Sequence, residues 1–238
     1  MIEVVAETGS TSADLAARIR AGDEVAEGHW LVADRQSAGK GRQGRVWSDG
    51  LGNFMGSSAV HLRASDPPPH TLSLVAAVAV HAALEGAAPG LFGLTLKWPN
   101  DVLLADAKLA GILLERFGNA VVVGVGVNLA QAPQVEGRPV ASLAARGYHA
   151  ERDGFADLLE TCWSHGLRLW RSDGWEQLRR DWITRAHPIG TPLAVHGPNA
   201  ELLHGTFGGI DADGALQLRL AGGTTRTIHA GEVILDRG

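Results

Sequence analysis

Apolar positions recur along this chain with two periods, and the switches between them outline its elements. Thr11-Ser12-Ala13-Asp14 ahead of Leu15-Ala16-Ala17-Arg18-Ile19 predicts a helix start with a capping residue and an acidic first turn, ended by Gly22. Trp30 to Ala33 is a short apolar strand, followed by a polar, glycine-rich stretch from Arg35 to Arg45. Phe54 to Leu62 alternates as a strand does, with Gly56 and Ser58 leaving room on one face. After the Asp66-Pro67-Pro68-Pro69 turn, Thr71 caps an Ala/Val/Leu helix that runs to about Leu84. Four strand-like pieces come next: 94–98, 102–105, 109–116 and 120–128, with Asp106-Ala107 as a tight hairpin connection. Residues 153–185 return to helix, broken at Asp173-Gly174, with Trp163/Trp170 and Trp175/Trp182 spaced for one buried face. The remainder is short strands and glycine-rich turns: 192–195, 202–207, 208–211, 216–220 and 225–228.

This texture predicts an α+β fold: a mixed, largely antiparallel sheet backed by helices over residues 1–187, then a small β-barrel over 188–238. Composition adds exclusions. A net charge of −5 gives no general attraction to nucleic acid or anionic membrane. The apolar run from Leu72 to Leu84 is too short to span a bilayer, and the first residues lack the basic flank and long apolar core of a signal peptide. Cys162 is the single cysteine; it fits a reducing cytoplasm and reads as core between Leu159 and Trp163. The histidines show no zinc-type spacing.

Lysine usage sharpens the picture. Of 21 basic residues three are lysine and the other 18 (21 − 3) arginine, and every lysine falls in a motif-like segment. Lys40 lies in Gly39-Lys40-Gly41-Arg42-Gln43-Gly44-Arg45-Val46-Trp47, Lys97 in Lys97-Trp98-Pro99-Asn100-Asp101, and Lys108 in Lys108-Leu109-Ala110-Gly111-Ile112-Leu113. The first literally matches the glycine pattern of dinucleotide-binding turns, but no strand runs into it and no helical period follows. Its residue types suit a loop that folds over an anion instead. Glycine amides can approach closely, Lys40, Arg42 and Arg45 supply charge, and Trp47 offers a face for a base. Asn100 and Asp101, presented after Pro99, suit a magnesium-bearing nucleotide or simply a hairpin turn. Gly124-Val125-Gly126-Val127-Asn128 ends a strand with two glycines on one face and an amide at its end.

Together with Thr8-Gly9-Ser10-Thr11-Ser12, these segments, in this order, resemble the biotin–protein ligases, and the likeness extends over essentially the whole chain. The resemblance implies a catalytic domain like those of class II aminoacyl-tRNA synthetases with an SH3-like C-terminal barrel. It implies formation of biotinyl-5′-AMP from biotin and Mg-ATP, then transfer of biotin to a lysine of the biotin carboxyl carrier protein of an acetyl-CoA carboxylase. Carried over, the biotin site would be Ser10, Thr11, Ser12, Gln36, the loop residues Gly39, Lys40, Gly41 and Arg42, with Lys108 and Gly111. Arg42 and Lys108 would be catalytic. Arg45, Trp47, Lys97, Asn100, Asp101 and Asn128 would serve ATP or the adenylate, and Asp101 would hold Mg²⁺.

Two positions depart from the family pattern. Lys40 stands where an arginine is common, and Ser12 where an asparagine is usual. Only seven residues precede Thr8, so the expectation is a cytoplasmic ligase without the DNA-binding domain of repressor-type members, either a monomer or a weak homodimer. The competing readings are a lipoate–protein ligase, a nicotinamide-dependent oxidoreductase and a non-enzymatic adaptor.

Overall fold

The computed structural model describes residues 1–172, 174–196 and 201–235. It begins with a strand that the hydrophobic pattern does not announce. Ile2–Thr8 (β1) pairs in parallel with Trp30–Gln36 (β2), and helix Thr11–Ala21 (α1) makes the crossover between them. Ser10 occupies the N-cap position of α1 without a side-chain cap, and Gly22 closes the helix in the left-handed region at φ 81°.

The sheet grows outward from the centre of the chain. Phe54–His61 (β3), Leu94–Lys97 (β4), Asp101–Leu104 (β5), Ala107–Phe117 (β6) and Ala120–Val127 (β7) complete seven strands in the order β1-β2-β3-β7-β6-β5-β4. Only the β1–β2 pair is parallel. The β5–β6 hairpin turns at Ala105-Asp106, both at positive φ, one residue ahead of the expected Asp106-Ala107; two consecutive left-handed residues match the right-handed twist of the strands they join.

Alternation along β7 shows how one strand serves two purposes. Val121, Val123, Val125 and Val127 belong to the main core with helix Leu72–Ala87 (α2) and helix Arg152–Arg171 (α3). On the other face Val122 packs with Leu15, Leu31 and Ala59 beneath α1. Gly124 and Gly126 continue that second face without side chains and leave a hollow. The helix Pro69–Ala87 is long and apolar enough to cross a bilayer, longer than the apolar run alone suggested, yet two thirds of it is buried inside the fold. Trp163, Trp170 and Trp182 are fully buried, as their spacing predicts, whereas Trp175 and Cys162 are only half-buried against the same core. Of the expected break at Asp173-Gly174, Asp173 lies outside the described residues; Gly174 precedes helix Trp175–Arg185 (α4).

A second, antiparallel sheet follows. Pro192–His196 (β8), Leu202–Ile210 (β9), Leu216–Arg219 (β10), Thr225–Ile228 (β11) and Glu232–Leu235 (β12) lie in the order β11-β10-β9-β8-β12. The two strands expected between Leu202 and Asp211 are one, β9, and the pairing slips where it faces Leu216 to Leu218. This sheet shares the main core through Trp98, Trp182, Leu193, Phe207 and Leu216. Trp182 meets Phe207 edge-on, and Trp98 Nε1 donates to Gly214 O at 3.1 Å.

Candidate functional site

The hollow above Gly124 and Gly126 opens into a cavity of about 370 Å³. Every expected site residue lines it except Gly39. Gly39 instead closes the base of the loop: its carbonyl accepts from Trp47 N at 2.9 Å, and a Cβ there would sit 2.7 Å from Trp47 O.

One end of the cavity is a buried hydroxyl chain. Thr11, at the start of α1, donates from both its backbone N (2.7 Å) and its Oγ1 (3.1 Å) to Gln36 Oε1 at the end of β2. Thr11 Oγ1 lies 2.7 Å from Ser57 Oγ, and Ser12 Oγ lies 2.9 Å from Ser57 Oγ. A hydroxyl has one proton, and Gln36 Oε1 takes that of Thr11. Ser57 therefore donates to Thr11, and Ser12 donates to Ser57. The chain fixes three hydroxyls and one amide, all on buried residues, at this end of the cavity.

Ser57 was not among the expected residues. The small residues Gly56 and Ser58 suggest the open face of β3, but Phe54 and Val32 fill the side-chain space at Gly56, where a Cβ would come within 2.6 Å of Phe54 Cζ. Ser57 is directly opposite Gly124 in the β3–β7 ladder, so it shares the cavity face. Without that register the sequence offers no way to choose between the two faces.

The middle of the cavity is floored by glycine. Gly111 and Gly126 are cross-strand partners in β6 and β7, and the indole of Trp47 lies on them. An added Cβ at Gly126 would stand 2.3 Å from Trp47 Cε2, and one at Gly111 would stand 3.1 Å from Trp47 Cζ3. Lys108 Nζ is 5.9 Å from the centre of the same ring.

The other end is cationic. Lys40, Arg42, Arg45, Lys97, Lys108 and Arg138 line the cavity against Asp101 and Glu232, a local balance of +4 (6 − 2) in a chain of net charge −5. The loop folds as a small hairpin in which Lys40 bridges Val46 and Gly41 N donates to Arg45 O at 2.7 Å. No helix follows it, which removes the dinucleotide reading. Gln43 and Gly44 turn its tip at φ 57° and 72°. The hairpin delivers Arg42, whose Nη1 donates to Asn100 Oδ1 at 3.1 Å. Asn100 Nδ2 donates in turn to Ile112 O at 2.7 Å, so this side chain ties the hairpin to β6. Burial lowers the Arg42 pKa from its ordinary value. Desolvation likewise lowers that of the largely buried Lys97, with neighbouring Asp101 opposing it.

Asp101 starts β5 beside Gly111, and its Oδ1 accepts from Lys108 Nζ at 2.6 Å. Asn128 donates from Nδ2 to Ala141 O at 3.1 Å and so organises the return of the segment that leaves β7. That segment brings Arg138 to the cavity, and β12 brings Glu232; neither was among the expected site residues. Among the described residues no group of three His, Cys, Asp or Glu side chains is arranged for a metal ion. Asp101 is a single carboxylate already paired on one oxygen, which suits an ion arriving on a nucleotide rather than a resident one.

The arrangement has one polar, hydroxyl-lined end that can hydrogen-bond a neutral group and one cationic end that can hold anions. Residues 11–130 match the family model described as the biotin/lipoate A/B protein ligase family, and residues 189–236 match the biotin protein ligase C-terminal domain. The biotin–[acetyl-CoA-carboxylase] ligase of Paracoccus denitrificans is 37% identical, with 97% of this chain aligned to 98% of that one. The corresponding ligase of Mycobacterium tuberculosis is 38% identical, over 98% of this chain and 88% of that one. Among solved structures, a biotin protein ligase from Aquifex aeolicus in complex with biotin and ATP superposes with a TM-score of 0.86 at 25% identity, covering 100% of this chain and 99% of that one. By family model, by full-length likeness and by fold, the chain belongs to the biotin–protein ligases of the biotin/lipoate A/B protein ligase family.

Proposed function

We propose that the protein activates biotin with Mg-ATP to biotinyl-5′-AMP and transfers the biotinyl group to a lysine of a biotin carboxyl carrier domain. The observation that carries this reading is the cavity's polarity. The buried Ser12–Ser57–Thr11–Gln36 chain suits a ureido head group, and the Arg42–Asn100 and Lys108–Asp101 pairs suit the point where two anions meet.

In the first step a carboxylate oxygen of biotin attacks the α-phosphorus, a new C–O–P linkage forms, and pyrophosphate leaves. Negative charge concentrates on the α-phosphate oxygens as this happens. Cations already positioned there stabilise it without reorganising at the moment of reaction. Arg42 and Lys108 hold those positions, the first through Asn100 and the second through Asp101. Mg²⁺ would ride on the triphosphate with Asp101 as its protein carboxylate, supplying charge neutralisation. Trp47, on the glycine floor, marks the place where a flat ring is accommodated and is assigned to the adenine. Arg45, Lys97 and Asn128 complete the nucleotide end and Ser10 the biotin end; Lys40, Gly41 and Gly111 line the stretch where the biotin carboxylate would meet the phosphate, and Gly39 acts only by closing the base of the loop.

In the second step the carrier lysine amine attacks the carbonyl carbon. AMP departs with the electrons of the C–O bond, and the amine loses its proton to water. Proximity is sufficient for this aminolysis, provided the mixed anhydride is kept from water until the amine arrives. We assign both steps to residues 1–187 and treat 188–238 as a separate C-terminal unit that completes the cavity through Glu232 and Val233.

The test is pyrophosphate release from ATP with biotin, run beside lipoate and with no carrier present. Release with biotin and none with lipoate is the expected result. Release with lipoate alone would keep the chemistry and overturn the substrate.

A further inference from the structure

Glu232 stands at the start of β12, 187 positions beyond Arg45, yet its carboxylate faces the cavity. Both of its oxygens are engaged. Arg45 donates from Nη1 to Oε1 at 3.0 Å and from Nη2 to Oε2, and Arg138 Nη2 lies 3.1 Å from Oε1. Arg45 comes from the 39–47 hairpin, which it braces internally through its carbonyl to Gly41 N and its side chain to Gln43. Arg138 comes from the segment after β7, next to Pro139 and Val140, which are tied to the backbone of Lys108. A carboxylate from the second sheet thus joins two separate walls of the cavity at its cationic end. Arg45, Arg138 and Lys97 together keep its carboxyl below the ordinary range, so it is ionised throughout the neutral region.

We propose that Glu232 is a positioning residue: a clasp that fastens the 39–47 hairpin and the Arg138 segment to the C-terminal sheet and retains the acyl-adenylate between the two half-reactions. The inference rests on the adenylating reading above. It gives the C-terminal sheet a task in the reaction, since a mixed anhydride that escapes or meets water is lost before the carrier lysine arrives. Its bonds are partly exposed, with Glu232 32% and Arg45 42% accessible, so the clasp is weak enough to open for the carrier and is screened by salt.

The test uses the full chain preloaded with biotinyl-5′-AMP, after pyrophosphate is removed enzymatically, and follows adenylate lost to solvent. Glu232→Gln is expected to speed that loss about tenfold, in keeping with several partly exposed charge-assisted bonds. Single-turnover adenylate formation at saturating ATP should fall by a clearly smaller factor than retention does, because the variant leaves Arg42 and Lys108 in place and the loosening of Arg45 is felt in the KM for ATP. Arg138→Gln should speed the loss by a smaller factor, and the double variant should be no faster than Glu232→Gln, because both changes open one clasp. Raising the ionic strength should speed adenylate loss in the parent and leave the Glu232→Gln variant unchanged, a response that a merely structural ion pair has no reason to give. Retention at the parent rate in Glu232→Gln, additive effects in the double variant, or an unchanged salt response would each overturn the clasp. If Glu232→Gln does not fold, Arg138→Gln and the parent's salt response decide the matter alone. A parent that forms no adenylate from biotin overturns the ligase reading first, and the clasp with it.

Discussion

Lys108→Ala should separate catalysis from stability. Lys108 Nζ donates to Asp101 Oδ1 at 2.6 Å, with the two side chains 36% and 19% exposed. A pair this accessible contributes about 1 kcal/mol or less to folding, which corresponds to a fall in Tm of roughly 2–4 °C for a chain of this size. A domain with about 5 kcal/mol or more of stability stays folded after such a loss. The rate effect is on another scale. Removing one preorganised donor from the place where charge develops costs about 10² to 10³ in rate, or roughly 2.7–4 kcal/mol. Lys108→Arg should recover only a small part of this. Lys108 lays Cε and Nζ over Gly111 beside Trp47, and a longer, planar guanidinium cannot put a compact charge at the same point while keeping the bond to Asp101. The assay is single-turnover formation of biotinyl-5′-AMP, with Tm recorded on the same samples. Adenylate formation at the parent rate in Lys108→Ala would refute the electrostatic role, and a loss of rate that tracks loss of folded protein would do the same.

Three further expectations follow from the geometry. Ser57→Ala breaks the hydroxyl chain at its middle link, so the KM for biotin should rise about five- to tenfold with kcat preserved; an unchanged KM would remove Ser57 from the binding site. Gly126→Ala places a methyl 2.3 Å from Trp47 Cε2 and should expel the indole from the floor, weakening biotin or ATP binding about tenfold or more by calorimetry without unfolding the chain; parent affinity would show that the floor is not part of the site. Glu3 on β1 has its pKa lowered to about 2, chiefly by the Arg18 hydrogen bonds and then by His29, with partial desolvation opposing them. A depressed carboxylate stabilises above its unfolded pKa of 4.5 and loses that contribution as pH falls through its folded pKa, so urea midpoints of parent and Glu3→Gln should differ at pH 7 and converge between about pH 4.5 and 2. Curves that stay parallel across that window would remove the Arg18–Glu3 pair as a stabiliser of the β1 edge.

What the sequence discloses depends on how far apart the cooperating residues are. The loop at Gly39–Trp47, the segment at Lys97–Asp101 and the strand at Lys108–Leu113 are each short and chemically unusual, so their residues are readable before any fold is known. All the cations they carry do converge on one cavity. Strand β1 escapes notice because it is a half-exposed edge strand with Glu3 and Glu7 in it, and its identity rests on pairing with β2. Strand β12 is four residues long and only partly buried. Ser57 needs the β3–β7 register, and Glu232 and Arg138 need a second sheet and a long excursion folded back on the first. Nothing local in the sequence marks those three. Trp98 is the reverse case: it sits inside the most distinctive motif, yet its indole is buried in the core and bonded to Gly214, so it serves packing while its neighbours supply polar groups to the cavity.

The most direct measurement offers the protein biotin, Mg-ATP and a biotin carboxyl carrier domain, and reads the carrier by mass spectrometry beside a carrier whose acceptor lysine is replaced by arginine. The account predicts one biotinyl group on the native carrier, dependent on ATP, and none on the arginine variant. An unmodified native carrier in the presence of folded enzyme and both substrates would contradict it.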